Sequence, residues 1–153
     1  MEESNSIPSN YNLVLSVEVA RHGERQSGKL FPLAANPDEE FKVAYNLTET
    51  GAQSHYANGQ GIREFFDKHS GFLSAEYKPE EVYVQTTYKQ RTLDSALAQL
   101  EGLYGKPMSW PNVDSAYTLN TIPMMEDMVL HVDDDNCPRF DQLQTDVKYD
   151  PET

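Results

Sequence analysis

Residues 11–25 read YNLVLSVEVARHGER, and this stretch decides the fold that we expect for the chain. In residues 11–20 the side chains alternate between two faces, with leucine and valine on one of them, as in a β-strand. The strand pattern stops at Arg21-His22-Gly23, where two basic side chains and a glycine indicate a turn. The stretch therefore predicts a strand that carries a basic loop at its carboxyl end.

A second strand pattern, residues 81–86, is short and contains β-branched and aromatic side chains. Between the two strands we predict an irregular connection over residues 26–45 and a helix that begins at the N-cap Thr48 and ends near His69. Another helix should open at Arg91, with an apolar stripe on one face that consists of Leu93, Leu97, Leu100 and Tyr104. This order is typical of a βαβ crossover, so we predict an α/β fold with a parallel sheet flanked by helices.

Basic residues follow both predicted strands. Open α/β sheets bind ligands just beyond the carboxyl ends of their strands. We therefore expect Arg21, His22 and Arg25 from the first strand to meet Arg91 from the second strand in one pocket, and we expect the ligand to be an anion.

The chemistry of this cluster favours a phosphoryl group. A histidine between two arginines is a poor core residue, because burying three potential cations without an anion is costly. A neutral imidazole can attack phosphorus, and guanidinium groups can hold the phosphoryl oxygens on which charge is spread. Such a site neutralises the substrate with arginine, so we predict no metal and no cofactor.

The sequence resembles the histidine acid phosphatases of the phosphoglycerate mutase-like superfamily. Their signature is Arg-His-Gly-x-Arg-x-Pro, which residues 21–27 match except that Ser27 stands at the proline position. Four further stretches of the chain are similar to this family in the same order: residues 47–56, 82–95, 122–123 and 137–140.

The resemblance implies a role for each residue of the basic cluster. His22 is expected to accept the phosphoryl group of a phosphate monoester, while Arg21, Arg25 and Arg91 hold that group. The family resemblance covers residues 11–145, which we expect to be the amino-terminal part of the phosphatase domain and hence an incomplete sheet. A mutase of the same superfamily is a further possibility, although the segments around Arg91 and Cys137 are more similar to the phosphatases.

Two features of the family are missing from this sequence. Its members carry a His-Asp pair that supplies the proton donor, and none of the four histidines here is followed by aspartate. Cys137 matches a cysteine of the family. The resemblance implies that this cysteine forms a disulfide with a partner in the later half of the family domain, beyond Thr153. Three interpretations of the chain stay open, namely a fragment, an incomplete gene product or a diverged short relative, and phosphatase activity is expected to be impaired in this short chain. The alternative is a non-catalytic phosphate-binding remnant.

Composition excludes several other functions. The 153 residues carry a formal net charge of −13 at a mean hydropathy of −0.67, so we expect no binding to nucleic acid and no membrane span. Nine acidic and two basic residues lie in 126–153, which we interpret as exposed loop ending in a flexible acidic tail, 146–153.

Residues 1–10 are expected to be flexible and lack the pattern of a signal peptide, although the family resemblance suggests a secreted or lysosomal protein. The exposed edge of an incomplete sheet predicts self-association.

Overall fold

The structure is a computed structural model that describes residues 11–28, 44–68, 72–112, 116–131 and 137–148. Within these ranges the chain forms three α-helices and a short 3-10 turn. The helices are α1 (Glu49–Asp67), α2 (Gln90–Leu103) and α3 (Pro138–Lys148), and the 3-10 turn is Met124–Glu126. No helix in these ranges has both the length and the apolar character needed to cross a membrane.

Helix α1 begins where the sequence predicts. The hydroxyl of Thr48 accepts a hydrogen bond from the backbone N–H of Gly51 at 3.1 Å, which satisfies one of the free donors of the first turn. Glu49 places a negative charge at the positive end of the helix dipole. The helix ends at Asp67, while the predicted end at His69 lies outside the described residues.

Helix α2 packs against α1 along most of its length. It begins one residue before the predicted Arg91, and Leu97, Leu100 and Tyr104 of the predicted stripe are buried. Gly59 of α1 and Gly102 of α2 lie where the helices cross, and a Cβ atom on either would overlap a backbone carbonyl oxygen of the other helix. The two glycines therefore allow the backbones of α1 and α2 to approach closely.

Two apolar clusters hold this pair of helices together. The larger one is built on Phe66 of α1 and on Leu100, Leu103 and Tyr104 from the end of α2. The smaller one joins Leu47, Ala52 and Ala98, with Met108 and Trp110 packed against it. The smaller cluster lies at the end of the helix pair from which the two helices start, where the basic loop is attached.

The predicted parallel sheet is not formed by the described residues. Residues 11–20 are without strand pairing and mostly exposed, with Val14 88% exposed. In the second predicted strand, 81–86, Gln85 makes a single parallel bridge to Asn120. A strand is stabilised by ladder hydrogen bonds to its neighbours, and none of the described segments forms a ladder with residues 11–20.

The prediction of an exposed loop over residues 126–153 is wrong for 138–148, which form α3. The sequence contains signals that favour this helix. Pro138 occupies the first helical position, where its missing N–H is not needed, and Gln142 donates to Asp146 one turn later at 2.8 Å. The prediction relied on the high density of acidic residues, and this density does not distinguish an exposed helix from an exposed loop, because both are rich in charge. The aspartates 133–135 lie outside the described residues.

Candidate active site

The basic loop runs from Arg21 to Gly28 and is attached to the segment before α1. Arg25 and Leu47 form an antiparallel bridge, and the N–H of Gln26 donates to the carbonyl oxygen of Asn46 at 2.8 Å. The loop forms a surface pocket that is lined by Arg21, His22, Gly23, Glu24, Arg25 and Ser27. Three of the four predicted site residues therefore share one pocket.

The ring of His22 is oriented by its own loop. Its Nδ1 lies 2.8 Å from the carbonyl oxygen of Gly23. A carbonyl oxygen can only accept a hydrogen bond, so Nδ1 carries the proton. In the neutral ring this leaves the lone pair on Nε2, the nitrogen that is available as a nucleophile.

The backbone of Gly23 connects the loop to α2. Its N–H donates to the hydroxyl of Ser95 at 3.0 Å, and that hydroxyl donates to the carbonyl oxygen of Arg91 at 2.7 Å. Gly23 also lies against the backbone of Gly51 in α1, where a Cβ atom would come within 2.6 Å of the Gly51 carbonyl oxygen. Only glycine permits this approach, so the loop is held between the first turn of α1 and Ser95 of α2.

A buried histidine of α1, His55, contacts the backbone of the loop. Nε2 of His55 lies 3.1 Å from the carbonyl oxygen of Arg21, and Nδ1 lies 2.9 Å from Oε1 of Gln99. The amide nitrogen of Gln99 in turn donates to the carboxylate of Glu18 at 2.8 Å. The two contacts connect the loop through His55 to Gln99 of α2.

The one carboxylate within the loop is held by α1. Oε1 of Glu24 accepts a hydrogen bond from the hydroxyl of Thr48 at 2.8 Å, and its backbone oxygen accepts from the N–H of Thr48 at 2.9 Å. This position is next to the amino terminus of α1, where a negative charge is favourable. Glu24 is thus engaged by the helix cap.

The arginines of the cluster retain their charge for a ligand. Among the described residues, Arg21, Arg25 and Arg91 form no ion pair with a carboxylate. Arg91 is half-buried, and its Nε lacks a hydrogen-bond partner in the part of the chain that is described. Burying an unpaired guanidinium nitrogen is costly, so an incoming anion would find an unsatisfied donor there.

A second pocket adjoins the segment that pairs with the loop. It is lined by Asn46, Leu47, Gln90, Asp94, Trp110 and Pro111. Burial raises the pKa of the Asp94 carboxyl, although the hydrogen bond from the Gln90 amide at 2.7 Å lowers it in part.

The described residues contain no group of three His, Cys, Asp or Glu side chains suited to a metal ion.

The structure brings three of the four predicted site residues into one pocket. Arg21, His22 and Arg25 line one pocket, whereas Arg91 lies outside that lining and is connected to it through Ser95. The described residues do not form the parallel strand ends at which we expected the four to meet. The supporting residues Ser95 and His55 were not predicted as part of the site, although both belong to stretches that resemble the phosphatase family.

Comparison with known proteins identifies the family. The sequence model of the histidine phosphatase superfamily (branch 2) matches residues 13–153. Human lysosomal acid phosphatase is 36% identical over 137 residues, which cover 86% of this chain and 32% of the relative. Human prostatic acid phosphatase is 33% identical over 136 residues, covering 84% of this chain and 34% of the relative.

One solved structure is also similar. The phytase from Citrobacter braakii shares 31% sequence identity with a TM-score of 0.44, covering 54% of this chain and 22% of the phytase chain. The chain spans about a third of the length of the curated acid phosphatases that it matches.

Proposed function

Because the chain belongs to the histidine phosphatase superfamily (branch 2), we propose that it acts in the hydrolysis of phosphate monoesters through a phosphohistidine intermediate at His22. One observation carries this proposal. The bond from Nδ1 of His22 to the Gly23 carbonyl leaves Nε2 as the nucleophilic nitrogen of the neutral ring, in a pocket that two arginines line. Superfamily membership also implies a phosphoglycerate mutase-like α/β fold.

The reaction has two steps. In the first, the Nε2 lone pair of His22 forms a bond to phosphorus while the bond to the ester oxygen breaks, and the leaving alkoxide takes a proton from water. In the second, water attacks phosphorus, the P–N bond breaks, and inorganic phosphate and neutral His22 are released. The bond from Nδ1–H to the Gly23 carbonyl stabilises the positive charge that the ring carries in the intermediate.

The arginines neutralise the phosphoryl group in both steps. We assign Arg21 and Arg25 to the equatorial oxygens because they share the pocket with His22. We assign Arg91 to the same group because Ser95 joins its backbone to the loop and its Nε is buried without a partner among the described residues. Planar guanidinium groups are suited to this task, since each can donate two parallel hydrogen bonds.

A second candidate function is phosphate binding without turnover. It needs only the arginines that line the pocket with His22, because guanidinium groups bind a phosphoryl group without any proton donor. Loss of general-acid help costs about 10² to 10⁴ in rate for a poor leaving group. An aryl phosphate, whose leaving group needs no proton, should therefore react far better than an alkyl phosphate.

The test is to trap the intermediate. The 153-residue chain is mixed with a radiolabelled aryl phosphate, quenched in alkali and examined for label that is stable in base and lost in acid, as expected of a phosphorus–nitrogen bond. We expect label on the wild-type chain and none on His22→Ala. His131→Ala is a matched control, because His131 lies in the turn after the 3-10 segment and should leave labelling intact.

Each result separates the two functions. Label that depends on His22 supports nucleophilic catalysis. An unlabelled wild-type chain that still binds inorganic phosphate would support the binding module instead. Equal labelling of the His22→Ala chain would show that another group is the nucleophile.

A further inference from the structure

Tyr45 has an unusual backbone conformation next to the pocket. Its φ angle is +68°, in the left-handed region that bulky residues seldom adopt. Among the described residues, Tyr45 is the only non-glycine residue with a positive φ. Strained conformations of this kind persist where the surrounding contacts enforce them, and they are concentrated at functional sites.

The contacts that enforce this conformation come from the basic loop. The N–H of Tyr45 donates to the carbonyl oxygen of Gln26 at 3.2 Å, and the N–H of Gln26 donates to the carbonyl oxygen of Asn46 at 2.8 Å. The bridge between Arg25 and Leu47 continues the same pairing. Tyr45 is therefore fixed beside Arg25 by three successive backbone contacts.

The side chain of Tyr45 contacts Arg25 directly. Cζ of the guanidinium lies 5.1 Å from the centre of the aromatic ring, within the range of a cation–π interaction. Nη1 of Arg25 also donates to the carbonyl oxygen of Gln26 at 3.0 Å. These two contacts restrict the guanidinium. The described residues form no other hydrogen bond to it, which leaves N–H groups for a ligand in the pocket that Arg25 lines.

Gly28 makes room for the ring. A Cβ atom on Gly28 would overlap the ring of Tyr45 near its hydroxyl end. The loop thus passes directly beneath the aromatic side chain, and any larger residue at position 28 would displace it.

We propose that Tyr45 is a positioning residue, which holds the Arg25 guanidinium in the orientation that binds the phosphoryl group. The inference rests on the proposed function and extends it to a residue outside the Arg-His-Gly motif. A long arginine side chain loses considerable rotamer freedom when it binds. Stacking on Tyr45 removes part of that freedom before the ligand arrives, which strengthens binding without a direct contact between tyrosine and phosphate.

The experiment measures the affinity of the 153-residue chain for inorganic phosphate by calorimetry, together with the unfolding midpoint. Tyr45→Leu should weaken binding by about 3- to 30-fold, the range that corresponds to a cation–π contact. Tyr45→Phe keeps the ring and should restore affinity to within about twofold of wild type. Gly28→Ala should weaken binding as Tyr45→Leu does, because it displaces the ring.

The variant Tyr45→Gly shows whether Tyr45 positions Arg25 for phosphate or only stabilises the fold. Glycine adopts a positive φ without strain, so this variant should keep or raise the unfolding midpoint while it loses phosphate affinity. Tyr88→Leu is the matched control, since Tyr88 makes a similar contact with Lys89 at 4.1 Å but lies outside the residues that line the pocket. Its phosphate affinity should equal that of wild type.

The outcomes distinguish the inference from the function on which it rests. If Tyr45→Leu binds phosphate as wild type does while Arg25→Ala binds it weakly, the inference is wrong and the proposed function stands. If Tyr45→Gly lowers affinity and the unfolding midpoint together, Tyr45 is only structural and the inference is again wrong. If the wild-type chain neither binds phosphate nor becomes labelled at His22, the proposed function fails and the inference fails with it.

Discussion

Ser95 shows how one buried hydroxyl connects two parts of the site. It accepts from the backbone of Gly23 and donates to the backbone of Arg91, so a single side chain links the loop to the first turn of α2. His55 has a similar role beneath Arg21, where it satisfies a backbone carbonyl oxygen. These residues do not touch the pocket that binds phosphate in our proposal, but they determine the position of those that do.

We predict that Ser95→Ala lowers both the stability of the chain and its affinity for phosphate. The change leaves the N–H of Gly23 without a partner, which costs about 1–3 kcal/mol for a buried donor. Ser54→Ala is the matched control, because the hydroxyl of Ser54 makes the same type of bond to Thr50 on an exposed face of α1 at 2.8 Å. Thermal unfolding and phosphate calorimetry on both variants check this prediction, and equal behaviour of the two would contradict it.

At the scale of elements, the turn that follows the 3-10 segment is organised around a buried carboxylate. Asp127 is 1% exposed, and its Oδ1 accepts from the amide of Gln85 and from the N–H groups of Val129 and Leu130, at 2.9–3.1 Å. The hydrogen bond from the Leu130 N–H is the largest of the causes that lower the pKa of Asp127. The carboxylate thereby ties the 3-10 segment to the region of the second predicted strand.

We predict that Asp127→Asn destabilises the chain at neutral pH and that the difference shrinks in acid. A carboxyl whose pKa is lower in the folded state stabilises that state above its unfolded pKa, and this contribution is lost as the pH falls through the folded value. At pH 7 the loss should be about 1.5–3 kcal/mol, as for hydrogen bonds to a charged group. Chemical denaturation between pH 7 and pH 2.5 measures it, and a constant difference across that range would refute the assignment.

At the scale of the whole molecule, the helix pair is packed and the first predicted strand is not. Val14, Leu15, Val17 and Val19 are each more than 70% exposed, although the sequence places them in a strand pattern. An extended apolar segment with unpaired backbone groups is a template for pairing with another chain. This exposure supports the self-association that the sequence predicts, with a second copy of the chain as the partner.

We predict that the purified chain associates as its concentration rises and that Val17→Lys reduces this association. A charged side chain on an edge segment opposes pairing, because it would have to be desolvated in the contact. Val129→Lys is the control, since Val129 is equally apolar and 72% exposed but lies outside residues 11–20. Light scattering over a range of concentrations provides the measurement, and a wild-type chain that stays monomeric throughout would overturn the prediction.

The sequence by itself determined the local features of this protein. Thr48 caps α1, Arg91 lies in the first turn of α2, and the Arg-His-Gly motif lies in an irregular loop that lines a pocket with basic side chains. Each of these depends on residues within a few positions of one another, where capping and helical periodicity act. The shared pocket of Arg21, His22 and Arg25 has the same local origin, because the three residues lie within five positions of the chain.

Only the tertiary structure decided what depends on distant residues. Ser95 meets Gly23 across 72 positions of the chain, and His55 meets Arg21 across 34. The strand pattern of residues 11–20 failed to predict a strand, because a ladder needs neighbours that the pattern alone does not specify. The left-handed backbone of Tyr45 likewise comes from its pairing with Gln26, a contact that overrides the local preference of a tyrosine.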